Sequence, residues 1–96
     1  MPSVTFAPAA LADLKRLQNF LKSKNPRAEK ASGVAIRSAV QSLAEFPAKG
    51  RMPNQDRPEL RELVITFGRY GYVAQYRYDG RGVSISRVRH GREAEL

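Results

Sequence analysis

The sequence predicts a single α+β domain over residues 1–96, in the element order β-α-α-β-β-β, with a helical hairpin packed on one face of a small antiparallel sheet. Two observations carry this prediction. Apolar residues recur at helical spacing from about residue 8 to residue 46. From about residue 60 to residue 90 the pattern changes to short β-branched and aromatic runs, separated by glycine-containing turns that are typical of hairpins.

A first strand and a first helix are predicted before residue 25. The run "SVTF" has the β-branched and aromatic composition of a strand, and Pro8 stands where a first helical turn tolerates proline. Asn25 and Pro26 end this helix and can cap and start the next one. The apolar positions of the helix are Leu11, Leu14, Leu17, Phe20 and Leu21, whereas Asp13, Lys15, Arg16 and Lys22 fall mostly elsewhere on its wheel.

The second helix is expected from about residue 26 to residue 46 and contains a glycine, Gly33. A glycine in a helix interior costs about 1 kcal/mol relative to alanine. Beside Ala31 and Ala35 it either lets the two helices approach closely or is simply tolerated. The apolar positions of this helix are Ala28, Ala35, Ile36, Val40, Leu43 and Phe46. The following segment, "FPAKGRMPNQDRPEL", is punctuated by proline and glycine and predicts a loop.

Three strands are predicted after the loop, in "LRELVITF", "YGYVAQYRY" and "GVSISRVRH", with turns at residues 68–69 and 79–82. The last strand does not alternate cleanly, because Val83 and Ile85 share one face and Val88 falls on the other. Either both faces are partly covered, or a bulge shifts the register between Ile85 and Val88. The register decides which way His90 points.

The composition excludes several kinds of site. There is no cysteine and one histidine, so neither a thiolate nor a histidine-rich metal site is available, and no glycine-rich cofactor motif is present. We therefore expect no metal and no cofactor. No apolar run is long enough to span a bilayer, and the N-terminus lacks the pattern of a signal peptide, so we expect a soluble, cytoplasmic protein.

The formal charge of +8 favours attraction to nucleic acid, to an anionic membrane or to an acidic protein. All five lysines lie before residue 50, and all nine cations from residue 51 onward are arginines, whose guanidinium groups bind phosphates and carboxylates bidentately. The second half of the chain therefore looks suited to contact with a partner. The arginines assigned to the sheet are Arg61, Arg69, Arg77, Arg87, Arg89 and Arg92.

The middle strand of the predicted hairpins contains a tyrosine series. Tyr72, Tyr76 and Tyr78 have even spacing and share one face, with Arg77 on the other. Tyrosine beside arginine is common on nucleic-acid surfaces and in protein interfaces. We favour instead the interpretation that Tyr72 and Tyr76 line the core between the sheet and the helices.

The single histidine, His90, is a candidate catalytic residue. A neutral His90 imidazole could act as a general base on a ribose 2′-hydroxyl, while nearby arginines stabilise the charge that develops on the phosphate. The alternative, which we favour, is a histidine at the end of a strand that forms only local hydrogen bonds.

Three local patterns, in this order, resemble the RelE/ParE superfamily of toxins from bacterial toxin–antitoxin operons. They are "PELRELV" at the second strand, "YGYVAQYRY" on the third and "VSISRVRHGRE" on the fourth, and the similarity spans nearly the whole chain. The resemblance implies a plasmid-stabilisation or growth-arrest toxin. It also implies that an antitoxin with an acidic, amphipathic segment binds the chain in a hetero-oligomer.

The superfamily has two activities, and the departures from its pattern favour one of them. RelE-like members are ribosome-dependent mRNA endoribonucleases, whereas ParE-like members inhibit DNA gyrase. The nucleases tend to place an arginine where this chain has Val73, and lysines on the preceding strand, where it offers Val64 and Thr66. We therefore expect a ParE-like, non-enzymatic toxin.

Each activity implies its own set of residues. If the nuclease alternative holds, the catalytic residues are His90, Arg61, Arg69 and Arg87. The residues expected to bind target or antitoxin are Arg77, Arg89, Arg92 and Tyr70.

Overall fold

A computed structural model describes residues 3–94 of the chain and confirms the predicted order of elements. The elements are β1 (Ser3–Phe6), α1 (Pro8–Lys24), α2 (Pro26–Gln41), a 3₁₀ turn (Ser42–Ala44), β2 (Leu60–Ile65), β3 (Tyr72–Tyr78), β4 (Gly82–His90) and the short α3 (Gly91–Ala94). No helix among these residues is long and apolar enough to cross a membrane.

The four strands form one sheet in the order β1-β4-β3-β2. β2, β3 and β4 are antiparallel to their neighbours, as predicted, but β1 runs parallel to β4. The sheet is therefore mixed rather than wholly antiparallel, because β1 joins it beside the last strand of the chain and not beside its sequence neighbour.

The helical hairpin covers one face of this sheet. The Asn25 side chain accepts a hydrogen bond from the backbone N–H of Ala28 at 3.2 Å, which confirms the predicted cap. The core between the layers is formed by apolar residues from both helices and the sheet, among them Leu17, Ile36, Val40, Leu43, Leu63, Ile65, Tyr72, Tyr76, Val83, Ile85 and Val88.

The second helix ends earlier than predicted, at Gln41, and continues only as the 3₁₀ turn. The Ser42 hydroxyl donates to the carbonyl oxygen of Ala39 at 2.6 Å, and Pro47 disfavours helical geometry at the residue before it. Phe46 is consequently 59 % exposed, so its assignment to the apolar face of the helix is wrong. Leu11 and Phe20 of α1 are also exposed rather than in the core.

Of the two alternatives left open for the last strand, the bulge is the one present. Gln75 of β3 pairs with Arg87 and the next residue, Tyr76, pairs with Ile85, which leaves Ser86 as the extra residue of β4. The shift puts Val83, Ile85 and Val88 all in the core. It also puts His90 directly opposite Tyr72, on the face that the helices cover.

Candidate functional site

A cleft of about 660 Å³ lies where β3 begins and β4 ends, against one side of α1. Three arginines, Arg16, Arg69 and Arg92, lie among its lining residues. The remaining lining residues are Leu17, Phe20 and Leu21 from α1, Phe67, Gly68, Tyr70 and Tyr72 from the β2–β3 connection and β3, and His90 from β4. We call it the C-terminal cleft.

The β2–β3 connection builds one wall of the C-terminal cleft through its glycines. Gly68 and Gly71 have φ values of +58° and +63°, a conformation that other residues rarely adopt. The chain closes the turn with a hydrogen bond from the Gly71 N–H to the Phe67 carbonyl at 2.8 Å. The predicted two-residue turn at residues 68–69 is thus part of a longer loop, which carries Arg69 and Tyr70 toward the cleft.

The end of β4 packs directly on that loop. The N–H of Gly91 donates to the carbonyl of Gly71 at 2.8 Å. A Cβ atom at position 91 would overlap the carbonyl oxygen of Tyr70, so glycine permits this close approach. The cleft therefore depends on two chain segments held together by backbone contacts.

His90 lies between two tyrosine rings in the cleft. Its ring centroid is 5.6 Å from that of Tyr70 and 5.7 Å from that of Tyr72, the latter in an edge-on arrangement. Its Nδ1 accepts a hydrogen bond from the backbone N–H of Arg92 at 3.2 Å. A neutral imidazole that accepts at Nδ1 carries its proton on Nε2, which makes Nε2 a donor rather than a base in this tautomer.

Tyr70 is the aromatic residue on which two guanidinium groups converge. Arg69 and Arg92 lie 5.5 Å and 5.9 Å from the centroid of its ring, within the range of cation–π attraction. The ring is 42 % exposed, so a partner can reach it. Of the residues predicted to be functional, His90, Arg69, Tyr70 and Arg92 thus share one site.

Arg61, which sequence reasoning placed with His90, lies elsewhere. It pairs with Tyr76 on β3, four residues from Tyr72, which corresponds to about 13 Å along the sheet. Its Nη1 donates to the carbonyl oxygens of Ala48 and Gly50 at 3.0 Å and 3.1 Å. Its Nε is buried and has no hydrogen-bond partner among the described residues. This arginine holds the loop that precedes β2.

Arg87 is bound to a carboxylate of α1. Its Nε and Nη2 donate to the two carboxylate oxygens of Asp13 at 2.7 Å and 3.0 Å. The backbone N–H of Val88 donates to the same carboxylate at 3.0 Å. The hydrogen bond from Arg87, followed by that from Val88, lowers the pKa of Asp13 below its ordinary range despite burial.

Asp13 was not singled out from the sequence, although a signal was available. It follows Ala10 by three residues and precedes Leu17 by four, and all three are buried on one stripe of α1. A carboxylate on such a stripe requires a partner, because an isolated buried charge is too costly.

The remaining predicted residues lie on the other side of the sheet or in its core. Arg77 is exposed and Arg89 pairs with Val73 of β3, both on the face away from the helices. Tyr72 and Tyr76 are in the core, as favoured from the sequence. Burial raises the pKa of the Tyr76 hydroxyl, which donates to Pro47 O at 2.8 Å and accepts from Gly50 N at 2.9 Å.

Residues 3–94 contain no cluster of three or more potential metal-binding side chains of the His, Cys, Asp and Glu types. The described arrangement therefore supports binding through aromatic rings and guanidinium groups at the C-terminal cleft. Of the four residues that the nuclease alternative names, His90 and Arg69 line the cleft, whereas Arg61 and Arg87 are held at other places.

Comparisons with known proteins agree with this fold. Toxin RelE3 of Caulobacter vibrioides is 38 % identical, over 97 % of this chain and 98 % of that protein. Toxin RelE1 of the same organism is 36 % identical, over 95 % of each. A chain of the chromosomal ParDE TA system from P. aeruginosa matches with a TM-score of 0.73 at 23 % identity, over 94 % of this chain and 96 % of that one, and so shares the fold.

The family assignment rests on the match over almost the full length. Residues 4–95 fit the family described as the ParE toxin of the type II toxin–antitoxin system, parDE. The sequence resemblance to the RelE/ParE superfamily is thereby confirmed, and the chain belongs to the ParE toxin family of type II toxin–antitoxin systems.

Proposed function

We propose that this toxin is non-enzymatic, inhibits DNA gyrase and is neutralised by a cognate antitoxin. The observation that carries the proposal is the separation of the groups a nuclease would need. Arg61 is bound to the carbonyls of Ala48 and Gly50, and Arg87 is bound to Asp13. Both would have to leave these partners to bind a phosphate beside His90.

A gyrase supercoiling assay tests the proposal. Relaxed plasmid, gyrase and ATP are mixed with increasing amounts of folded toxin, and the toxin is expected to abolish the appearance of supercoiled product. The His90→Ala variant is expected to inhibit as strongly as the wild type or within a few-fold of it, because no proton transfer is involved. Normal supercoiling at a large molar excess of folded toxin would refute the proposal.

The second candidate is a RelE-like, ribosome-dependent endoribonuclease. Two observations support it: curated relatives at 36–38 % identity are named RelE, and His90 shares its cleft with Arg69 and Arg92. Toeprinting on a translated message would detect it as new cuts in the ribosomal A site that disappear in His90→Ala. An unchanged message would exclude this candidate.

The antitoxin is proposed to seat an amphipathic segment in a second groove, of about 520 Å³, between the helical hairpin and edge strand β1. Val4 and Phe6 of β1 form one side, Ile36 and Val40 of α2 the other, and Arg37 adds a positive charge. Apolar positions of a partner helix or strand fit such a groove, and its carboxylates fit the arginine.

A substitution at Gly33 tests whether the antitoxin binds in this groove. Gly33 lines the groove, and a Cβ there would meet no atom within 4 Å, so Gly33→Leu begins in open space and adds volume to the groove. We expect it to weaken antitoxin binding at least tenfold in a titration. Ser38→Leu, on the exposed side of α2, is the matched control and should bind normally. Equal affinities for the two variants would place the antitoxin elsewhere.

A further inference from the structure

The outer surface of the helical hairpin is positively charged almost without interruption. Residues 8–41 contain seven cationic and two acidic residues, so they account for +5 of the net charge of +8. Of the two carboxylates, Asp13 is buried and bound to Arg87, and Glu29 is only partly exposed. All seven cations are on exposed positions; Arg16 lies 3.7 Å from Asp13, and the other six are Lys15, Lys22, Lys24, Arg27, Lys30 and Arg37.

These cations form rows along the two helices. Lys15 and Lys22 of α1 are seven residues apart, so they lie on the same side two turns, or about 10 Å, from one another. Lys30 and Arg37 have the same spacing on α2. Antiparallel neighbours of this kind pack with axes about 8–10 Å apart. The hairpin therefore presents positive charges at repeated spacings over an extended surface, which suits a polymer with regularly spaced negative charges.

The arginines of the second half differ in that many are already engaged within the protein. Arg51 binds Glu62 at 3.0 Å and Arg57 binds Glu59 at 2.7 Å. Arg61 and Arg87 are held by carbonyls and by Asp13. Within residues 3–94, by contrast, none of the six hairpin cations forms an ion pair. Arg77, Arg81 and Arg89 also form no ion pair within residues 3–94, so uncompensated charge is present near the sheet as well, but the lysine-rich hairpin carries more of it.

The apolar residues of the hairpin do not fit a membrane. Leu11 and Phe20 are exposed but nine residues apart, which at about 100° per residue puts them on opposite sides of α1, and the third exposed apolar residue, Val34, is on α2. A helix that lies on a bilayer needs one continuous apolar face to insert. Such a face is not formed by these residues.

A protein partner is also a poor fit to the outward face. Protein interfaces depend on buried aromatic or aliphatic anchors at their centre. Many exposed positions near the cation rows are small or polar, as at Ala12, Asn19, Ser23, Ala31 and Ser38, and the exposed aliphatic residues beside them, Leu11 and Val34, are single side chains on different helices. Phosphate backbones require only positive charge at a suitable spacing.

We propose that the outer face of the helical hairpin binds the phosphate backbone of duplex DNA, without reading its sequence. This activity goes beyond the inhibition of gyrase and does not depend on it. If the toxin does act on gyrase, the hairpin would hold it on the DNA segment next to the enzyme, while the C-terminal cleft stays available for protein contact.

Binding of a fluorescent DNA duplex, followed by anisotropy over a range of salt concentrations, tests the proposal with the full-length toxin. The hairpin variant Lys15→Gln, Lys22→Gln, Arg27→Gln, Lys30→Gln removes four charges from the face. The control variant Lys49→Gln, Arg51→Gln, Arg57→Gln, Arg81→Gln removes the same formal charge elsewhere. Arg37 is left unchanged in both because it lines the groove assigned to the antitoxin.

We expect the wild type and the control variant to bind within about threefold of each other. The hairpin variant should bind at least tenfold more weakly, with a slope of log K against log salt that is smaller by about 3 to 4, since each lost phosphate contact contributes about 0.9. No binding by the wild type, or equal losses in the two variants, would overturn the proposal. Tighter binding to single-stranded RNA or to anionic phospholipid vesicles than to the duplex would do the same.

Lysine labelling of the wild type provides a test that does not depend on the variants folding. All five lysines can be acetylated with and without DNA, and the modification at each can be measured by mass spectrometry. Lys15, Lys22 and Lys30 should be protected by the duplex, whereas Lys49, outside the hairpin, should react equally in both samples. Uniform protection, or protection of Lys49 alone, would contradict the proposed face.

Discussion

Asp13 of the first helix and Arg87 of the last strand form a bidentate ion pair, with N–O distances of 2.7 Å and 3.0 Å. The pair lies where β4 extends beyond β1, whose last paired residue, Phe6, is opposite Ile85. Past this point no strand from residues 3–94 lies beside the outer edge of β4, and Asp13 supplies the acceptor for the N–H of Val88. A helix side chain thus replaces the neighbouring strand.

Removal of this carboxylate is expected to destabilise the toxin. Asp13→Ala removes the acceptor of the Val88 N–H and the carboxylate that binds Arg87 through two hydrogen bonds, at a cost of about 2–3 kcal/mol. The estimate is at the low end for an ion pair because the Arg87 side chain is 42 % exposed and screened by water. Urea denaturation would measure the difference. Arg16→Ala, which removes a 3.7 Å contact to Asp13 from a half-exposed side chain, should cost less than 1 kcal/mol.

The same carboxylate predicts how stability depends on pH. The pKa of Asp13 is lowered in the folded protein, chiefly by the hydrogen bond from Arg87, so the unfolded chain binds its proton more readily. The stabilisation is fully present above the ordinary pKa of 3.8 and is lost as the pH falls through the lower pKa of the folded state. Thermal unfolding between pH 6 and pH 3 should show a smaller pH dependence in Asp13→Asn than in the wild type. Parallel curves would show that other carboxylates are responsible.

Tyr76→Phe should weaken the connection between the sheet and the loop before β2. The buried hydroxyl donates to Pro47 O and accepts from Gly50 N, and both groups lose their partner in the variant. We expect a loss of about 1–3 kcal/mol in the free energy of unfolding. Tyr78→Phe is the control, because the Tyr78 side chain is only partly buried and should change stability by about 0.5 kcal/mol or less.

Two glycine substitutions should have opposite effects. Gly91→Ala introduces a Cβ that overlaps the Tyr70 carbonyl, so the loop at residues 66–71 must move, at a cost of about 1–3 kcal/mol. Gly33→Ala meets no atom within 4 Å in the interior of α2 and should stabilise the protein by about 0.5–1 kcal/mol. Of the two explanations open from the sequence, Gly33 is therefore tolerated rather than required for helix packing. The denaturation midpoints of both variants would show whether Gly91→Ala destabilises the protein and Gly33→Ala stabilises it.

The features that could be predicted from the sequence are those that depend on the spacing of residues within one segment. The order of elements, the Asn25 cap and the core position of Tyr72 follow from spacing along one segment, whereas the bulge before Val88 was one of two alternatives that the spacing left open. Contacts between distant segments were not predictable in this way. Asp13 and Arg87 are 74 residues apart, and the carbonyls that hold Arg61 belong to an irregular loop. The sequence therefore identified only some of the residues of the C-terminal cleft, because the order of residues along the chain does not show which arginines have intramolecular partners.

The last prediction concerns Tyr70, the exposed ring of the C-terminal cleft. Tyr70→Ala removes the surface on which Arg69 and Arg92 converge, and one of the two rings that contact His90. Because the ring is 42 % exposed, stability should fall by about 1 kcal/mol or less. Exposed aromatic residues beside arginines are typical energetic centres of interfaces, so inhibition of the target should fall about tenfold or more.

Inhibition by Tyr70→Ala is best compared with that of Phe46→Ala, which removes a similarly exposed ring that does not line the cleft. Dose–response curves for both variants, with the thermal unfolding of each as a folding control, separate a loss of contact from a loss of structure. Full potency of Tyr70→Ala would show that the target binds outside the cleft. Because Arg77 and Arg89 are on the opposite face of the sheet, that face would then be the surface to substitute next.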